Sequence, residues 1–187
     1  MDAKLAGDTQ SNPDVGTESN DRVGSPDEGK LNFYTLISGD TYEGEINSEG
    51  LRSGRGKYTW SKTGNTYEGY YVNGVRTGKG KLVFKSTGNI FEGEFVNGLK
   101  NGKGKMTTKI GVYEGEYKEA KKEGRGKFTF AKNNVVFEAE WKNDEQKGQG
   151  KVLYPGNFQW AEYEGDLYGM QRHGKGKMLF RLNNYHK

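Results

Sequence analysis

The sequence predicts an all-β chain: an elongated, single-layer antiparallel β-meander built as a repeat array of six hairpins. Three observations predict it. An aromatic-Glu opening, followed by Gly in all copies but the fifth, recurs at Tyr42, Tyr67, Phe91, Tyr113, Phe137 and Tyr163, at spacings of 25, 24, 22, 24 and 26 residues. A Gly-x-Gly-Lys closer keeps step with it, at Gly54/Gly56, Gly78/Gly80, Gly102/Gly104, Gly124/Gly126, Gly148/Gly150 and Gly174/Gly176. Around both phrases side-chain character alternates with a period of two, the period of a strand. A repeat of this size is a supersecondary unit that buries its apolar face only when a neighbour covers it.

Residues 1–30 contain no aromatic residue and hold seven acids and three bases, a net charge of −4. Low hydrophobicity with such charge is the composition of a disordered leader. It carries no apolar run of signal-peptide length, and Asp2 excludes the myristoylation pattern. Residues 31–41 turn abruptly apolar and end in Ser38-Gly39-Asp40, which predicts a capping strand over the edge of the first repeat. The array occupies residues 42–180, and residues 181–187 form a short basic tail.

Within one unit, Tyr67, Gly69 and Tyr71 share a face, and so do Gly78, Gly80, Leu82 and Phe84. Asn73-Gly74 between the two segments supplies the positive-φ residues that a tight hairpin favours. A second turn, such as Ser86-Thr87-Gly88-Asn89, passes the chain to the next hairpin. On the aromatic face the glycines remove Cβ atoms, so that rings from neighbouring strands lie across the backbone. The other face carries Glu68, Lys79, Lys81, Glu92, Glu94, Lys103 and Lys105, which predicts cross-strand ion pairs on a solvated surface.

The phrase Tyr-x-Gly-x-aromatic-x-x-Gly-x-x-x-Gly-x-Gly resembles the membrane occupation and recognition nexus (MORN) repeat. Tyr67–Gly80 and Phe91–Gly104 match it at every marked position. The resemblance implies a twisted single-layer meander serving as a scaffold, often on cytoskeleton or at membranes. Copies one, four, five and six depart from it at Ile46, Ala120, Ala139 and Asp144, and Leu167 and Met170 respectively. Gly39–Gly44 and Gln171–Gly176 are similar to phrases of the radial-spoke and other axonemal members.

Composition bounds the chemistry. With 187 residues, 30 of them Gly, and 31% hydrophobic residues, the chain is too poor in apolar side chains for a thick two-layer core. Its rings must carry the packing. The absence of cysteine removes disulfides and thiol nucleophiles and suits a reducing, cytoplasmic compartment. Subtracting the leader's −4 from the total of +4 leaves +8 on the rest, which fits an acidic partner surface.

The closers do not have phosphate-loop spacing: three residues, not four, separate Gly74 from Gly78, and no Ser or Thr follows the Lys. His173 and His186 are too few for a metal cluster or a triad. Acid pairs such as Glu43/Glu45 and Glu92/Glu94 recur too regularly to be a catalytic dyad. The sequence therefore predicts no catalytic residue, no cofactor and no metal. Nucleic acid is disfavoured because the rings sit on the packing face while the lysines sit opposite among glutamates. What remains is a non-enzymatic scaffold whose aromatic face docks a protein segment, through Tyr67, Tyr71, Phe91, Phe95, Tyr113, Tyr117, Phe137 and Trp141. A cytoskeletal assembly, in particular a cilium or flagellum, is the expected setting. The alternative is a peripheral module that holds anionic phospholipid through Lys79, Lys81, Lys103 and Lys105. Homo-oligomers are compatible with either reading.

Overall fold

In a computed structural model that describes residues 32–156 and 159–182, the chain is one antiparallel sheet in strict sequence order, without helix among the described residues. Its thirteen strands are β1 (Asn32–Thr35), β2 (Thr41–Ile46), β3 (Arg52–Thr59), β4 (Thr66–Val72), β5 (Val75–Phe84), β6 (Asn89–Val96), β7 (Leu99–Thr108), β8 (Gly111–Lys118), β9 (Lys121–Phe130), β10 (Val136–Lys142), β11 (Glu145–Tyr154), β12 (Gln159–Tyr168) and β13 (Gln171–Leu182). The strands β2 to β13 form the six hairpins. The first, β1, lies along the outer edge of β2, with Tyr34 opposite Tyr42. The expected leader, residues 1–30, lies outside the described residues, as does most of the tail.

Local chemistry explains each hairpin. In repeats two to six both central turn residues have positive φ: Asn73/Gly74, Asn97/Gly98, Glu119/Ala120, Asn143/Asp144 and Gly169/Met170. That is the type I′ geometry whose twist matches paired strands. Repeat one uses a longer turn, in which the Asn47 side-chain oxygen accepts from the Glu49 and Leu51 N–H groups. The turns of repeats two to six are also tied to the preceding repeat: the Gly74, Gly98, Ala120, Asp144 and Gly169 N–H groups donate to the Arg52, Arg76, Lys100, Lys122 and Gln146 carbonyls, at 2.8–3.4 Å. The array is thus stitched along its turn edge as well as through its strand ladders.

The two glycines of each closer have different roles, which corrects the expectation that both make room for rings. The first is the bulge residue. In repeat two Gly69 pairs with Gly80 but Tyr70 pairs with Thr77, so Gly78 and Lys79 are extra. Gly54, Gly78, Gly102, Gly124, Gly148 and Gly174 all have positive φ. A bulge bends its strand, folding the turn half of the hairpin over the ring of its opening half. The second glycine lies beneath that ring: a Cβ on Gly80 would meet the Tyr67 ring, at 2.5 Å from Cε2.

The core follows from this geometry. Tyr42, Tyr71, Tyr67, Phe95, Phe91, Tyr117, Tyr113 and Trp141 form an unbroken series of edge-to-face pairs, with centroids 5.0–5.6 Å apart and planes at 81–87°. Such pairs contribute about 0.5–1.5 kcal/mol each beyond area burial. The series stops at Trp141. In repeat five Ala139 stands where the other copies have Gly, and the residues nearest a Cβ on Gly150 are Leu167, Glu138 and Ala139 rather than a ring. Phe137 instead packs edge-on against Phe130, 5.6 Å away.

Candidate functional site

All eight rings predicted to dock a partner lie inside this core, none more than 7% exposed. The structure brings Tyr67, Tyr71, Phe91, Phe95, Tyr113, Tyr117 and Trp141 together as one packing series, and Phe137 joins its own cluster. With no ring edge free, they cannot serve as the docking surface. The physical reason is the bulge: by bending each hairpin it lets a single-layer sheet cover its own aromatic face. Where the opening ring is tyrosine, its hydroxyl is also used. Tyr42, Tyr67, Tyr113 and Tyr163 each donate to the carbonyl three residues on, at Glu45, Tyr70, Glu116 and Asp166. Burial pushes the Tyr42 and Tyr113 hydroxyls above the ordinary tyrosine range.

Sequence reading missed a column of polar residues on the same face. Arg52, Arg76, Lys100 and Gln146, each two residues beyond a turn, are buried in it. Arg76 is caged by Trp60, Tyr67 and Phe95, with its guanidinium carbon 5.4–5.7 Å from their centroids. Lys100 sits among Phe84, Phe91 and Tyr117, and Lys122 between Tyr113 and Trp141. Burial of a cation against ring faces is favourable because the quadrupole replaces lost hydration, and the stem packs as hydrocarbon. The available signal was positional: Arg52, Arg76, Lys100, Lys122 and Arg172 recur once per repeat, and Gln146 fills that position in the fifth.

The opposite face carries the usable surface. Register aligns Glu43, Lys57, Glu68, Lys81, Glu92, Lys105, Glu114, Lys127, Glu138, Lys151, Glu164 and Lys177 in one row across twelve strands, alternating in sign at every step. A second row beside it pairs Arg55 with Tyr70, Lys79 with Glu94, Lys103 with Glu116 and Arg125 with Glu140. Lys81 lies 3.4 Å from Glu92 and Arg125 lies 3.7 Å from Glu140. Pairs this exposed are worth at most about 1 kcal/mol each.

These rows line a groove of about 1310 Å³ that runs from β2 to β9. Its lining includes seven basic and six acidic side chains, with the backbone of Gly56, Gly69, Gly80, Gly93, Gly104 and Gly115 as floor and Tyr70 as its one ring. Lys79, Lys81, Lys103 and Lys105 all line it, and each stands opposite at least one glutamate. The groove is therefore amphoteric rather than basic. Tyr70 occupies the position that Glu45, Glu94, Glu116, Glu140 and Asp166 take in the other repeats. Its hydroxyl accepts from Arg55 Nε at 2.7 Å, while its ring remains 40% exposed.

Comparison with known proteins places this geometry. The chain is similar to the TCP domain of SAS-4 (dCPAP) in complex with a proline-rich motif of Ana2 (dSTIL) of Drosophila melanogaster. That likeness has 11% identity and a TM-score of 0.37, over 79% of this chain and 88% of the other. No curated protein matches the sequence. The family model of the MORN repeat matches residues 42–64, 67–88, 91–111, 113–135, 137–157 and 163–181, one segment for each hairpin described above. With six matched copies over more than half its length, the chain belongs to the MORN repeat family.

Proposed function

We propose that this protein is a non-enzymatic scaffold whose charged groove docks a segment of a partner protein. The observation that carries the reading is the division of labour between the faces. The rings are consumed by packing, whereas the opposite face offers a continuous groove with an amphoteric lining. A groove lined by both signs of charge selects a partner by its charge pattern, because a misaligned segment leaves like charges facing one another. The setting we propose is cytoplasmic and cytoskeletal, a cilium or flagellum in particular. The axoneme-like phrases at Gly39–Gly44 and Gln171–Gly176 and the lack of cysteine support it.

The test is capture from native ciliated-cell extract on two baits, the wild-type chain and the triple variant Arg55→Glu, Lys81→Glu, Lys105→Glu, identified by mass spectrometry. All three residues are exposed, so circular dichroism of the variant should match wild type. Cytoskeletal proteins should be retained by the wild-type bait and lost from the variant. Equal capture by both would refute groove docking. Sedimentation with phosphatidylserine vesicles at physiological salt, without protein capture, would favour a membrane role instead.

A further inference from the structure

One repeat leaves open a seat that most of the others fill. In the second row of the groove, the acid three residues after an opening ring reaches onto the bulge of its own hairpin. The carboxylates of Glu45, Glu94, Glu116 and Asp166 lie beside Gly54, Gly102, Gly124 and Gly174, in the space that a Cβ on each glycine would take. The seat comes with a backbone donor: Glu45 Oε1 accepts from the Arg55 N–H at 2.9 Å, and Asp166 Oδ2 accepts from the Lys175 N–H at 2.8 Å. Repeat two has Tyr70 at the acid position, and its ring turns instead to Arg55, whose guanidinium carbon lies 5.2 Å from the centroid. The space beside Gly78 therefore holds no carboxylate, and the nearest side-chain atom to a Cβ there would be Tyr70 Cβ, at 4.0 Å. At Gly148 the space is open as well, but repeat five keeps its own acid, Glu140, which turns to Arg125 at 3.7 Å.

The charge pattern shows the same vacancy. Arg55 and Lys79 stand on the strands either side of Tyr70, and Lys57 and Lys81 stand either side of Glu68, two residues before it. Four bases there surround a single acid, whereas in the next repeat Lys79, Lys81, Lys103 and Lys105 surround two, Glu92 and Glu94. Gln149, the other uncharged position in the row, is closed within the chain, because its amide donates to Asp166. A local rule of the fold broken at one copy, with no compensation inside the chain, marks a place reserved for function. An incoming carboxylate would find at Lys79 the N–H that two other repeats bond to their own acids, in a basic surround that strengthens the bond.

We propose that this seat is filled in trans: an Asp or Glu side chain of the partner segment makes at Gly78 the contact that other repeats make with their own acid. This rests on the groove docking a protein segment and names one chemical anchor of that segment.

The probe is N-acetyl-glutamate N-methylamide, titrated at neutral pH and constant ionic strength into the isotope-labelled full chain and followed by amide NMR shifts. A ligand of this size binds in about the millimolar range. The Lys79 amide should shift saturably, while the Lys175 amide, whose seat Asp166 fills, should not. The capped glutamine analogue should bind at least about tenfold more weakly, since it lacks the charge. Tyr70→Glu copies the other repeats, so the fold is retained, and by filling the seat it should weaken binding of the capped glutamate at least about tenfold. Tyr70→Ala leaves the seat open and should keep binding within about threefold. Equal response of Lys79 to both ligands, or wild-type binding by Tyr70→Glu, overturns the inference. Capped phosphoserine binding more than about tenfold tighter than glutamate would overturn the assignment to a carboxylate. Groove docking itself is decided separately, by capture on the variant of Arg55, Lys81 and Lys105.

Discussion

Replacing Gly104 by Ala places a methyl group where the structure has a ring. A Cβ there would lie 2.5 Å from Phe91 Cε2, 2.6 Å from Cζ and 3.2 Å from Tyr117 Cδ2. Carbon atoms attract best at about 3.5–4.0 Å, so the Phe91 ring must move by about 1 Å. It has nowhere to go, being fully buried and held edge-on between Phe95 and Tyr117 at 5.4 and 5.0 Å. Overpacking of a close-packed site costs about 1–3 kcal/mol, and the immobility of this ring favours the upper part of that range. Urea unfolding followed by tryptophan fluorescence would measure it. The cause can be isolated with Phe91→Leu: if the cost is a collision, Gly104→Ala should be at least about 1 kcal/mol milder in the Phe91→Leu background. Gly102→Ala, two residues earlier, should cost about 1–3 kcal/mol through its φ of 101° and should show no such coupling. A Gly104→Ala protein within about 0.5 kcal/mol of wild type, or equal coupling for both glycines, would refute the assignment of separate roles.

Three further outcomes follow from named contacts. Ala120→Gly should raise stability by about 1 kcal/mol in thermal unfolding, because Ala120 holds a φ of 69° in a tight turn that glycine adopts without strain. Arg76→Ala should cost about 3 kcal/mol in chemical denaturation, since it empties a cage formed by Trp60, Tyr67 and Phe95. At Asp40, burial works to raise the carboxyl, but hydrogen bonds from the Tyr58 hydroxyl, the Ser61 backbone and side chain and the Ser38 side chain outweigh it and hold it below the usual range. A depressed carboxyl stabilises the fold above its unfolded-state pKa of about 3.9, and that contribution is lost as pH falls through the folded value. Asp40→Asn should therefore lower the thermal midpoint at pH 7 and reduce the loss on going from pH 5 to pH 2.

The strand order and the hairpin turns were legible because they depend on local signals repeated six times. Asn73-Gly74 and Asn97-Gly98 specify their own turns, and period-two alternation from Tyr67 to Tyr71 specifies its own face. The bulge was not legible, because a glycine that relieves a ring and a glycine that bends a strand are the same letter. Only the register, in which Gly69 faces Gly80 while Tyr70 faces Thr77, separates Gly78 from Gly80. That single ambiguity propagated to function. A flat single-layer sheet leaves one face of rings to be covered by something else, which made the aromatic stripe look like the binding surface. A sheet whose hairpins each bend at a positive-φ glycine closes over its own rings, and Arg76 and Lys100 complete the closure at the turn edge. The face left exposed is the charged one, which the sequence reading took as solvated, with Lys79, Lys81, Lys103 and Lys105 as the alternative site for anionic phospholipid. There, a departure from the repeat carries more information than matches to it: Tyr70 stands where every other copy has an acid, a position at which folding alone imposes no choice.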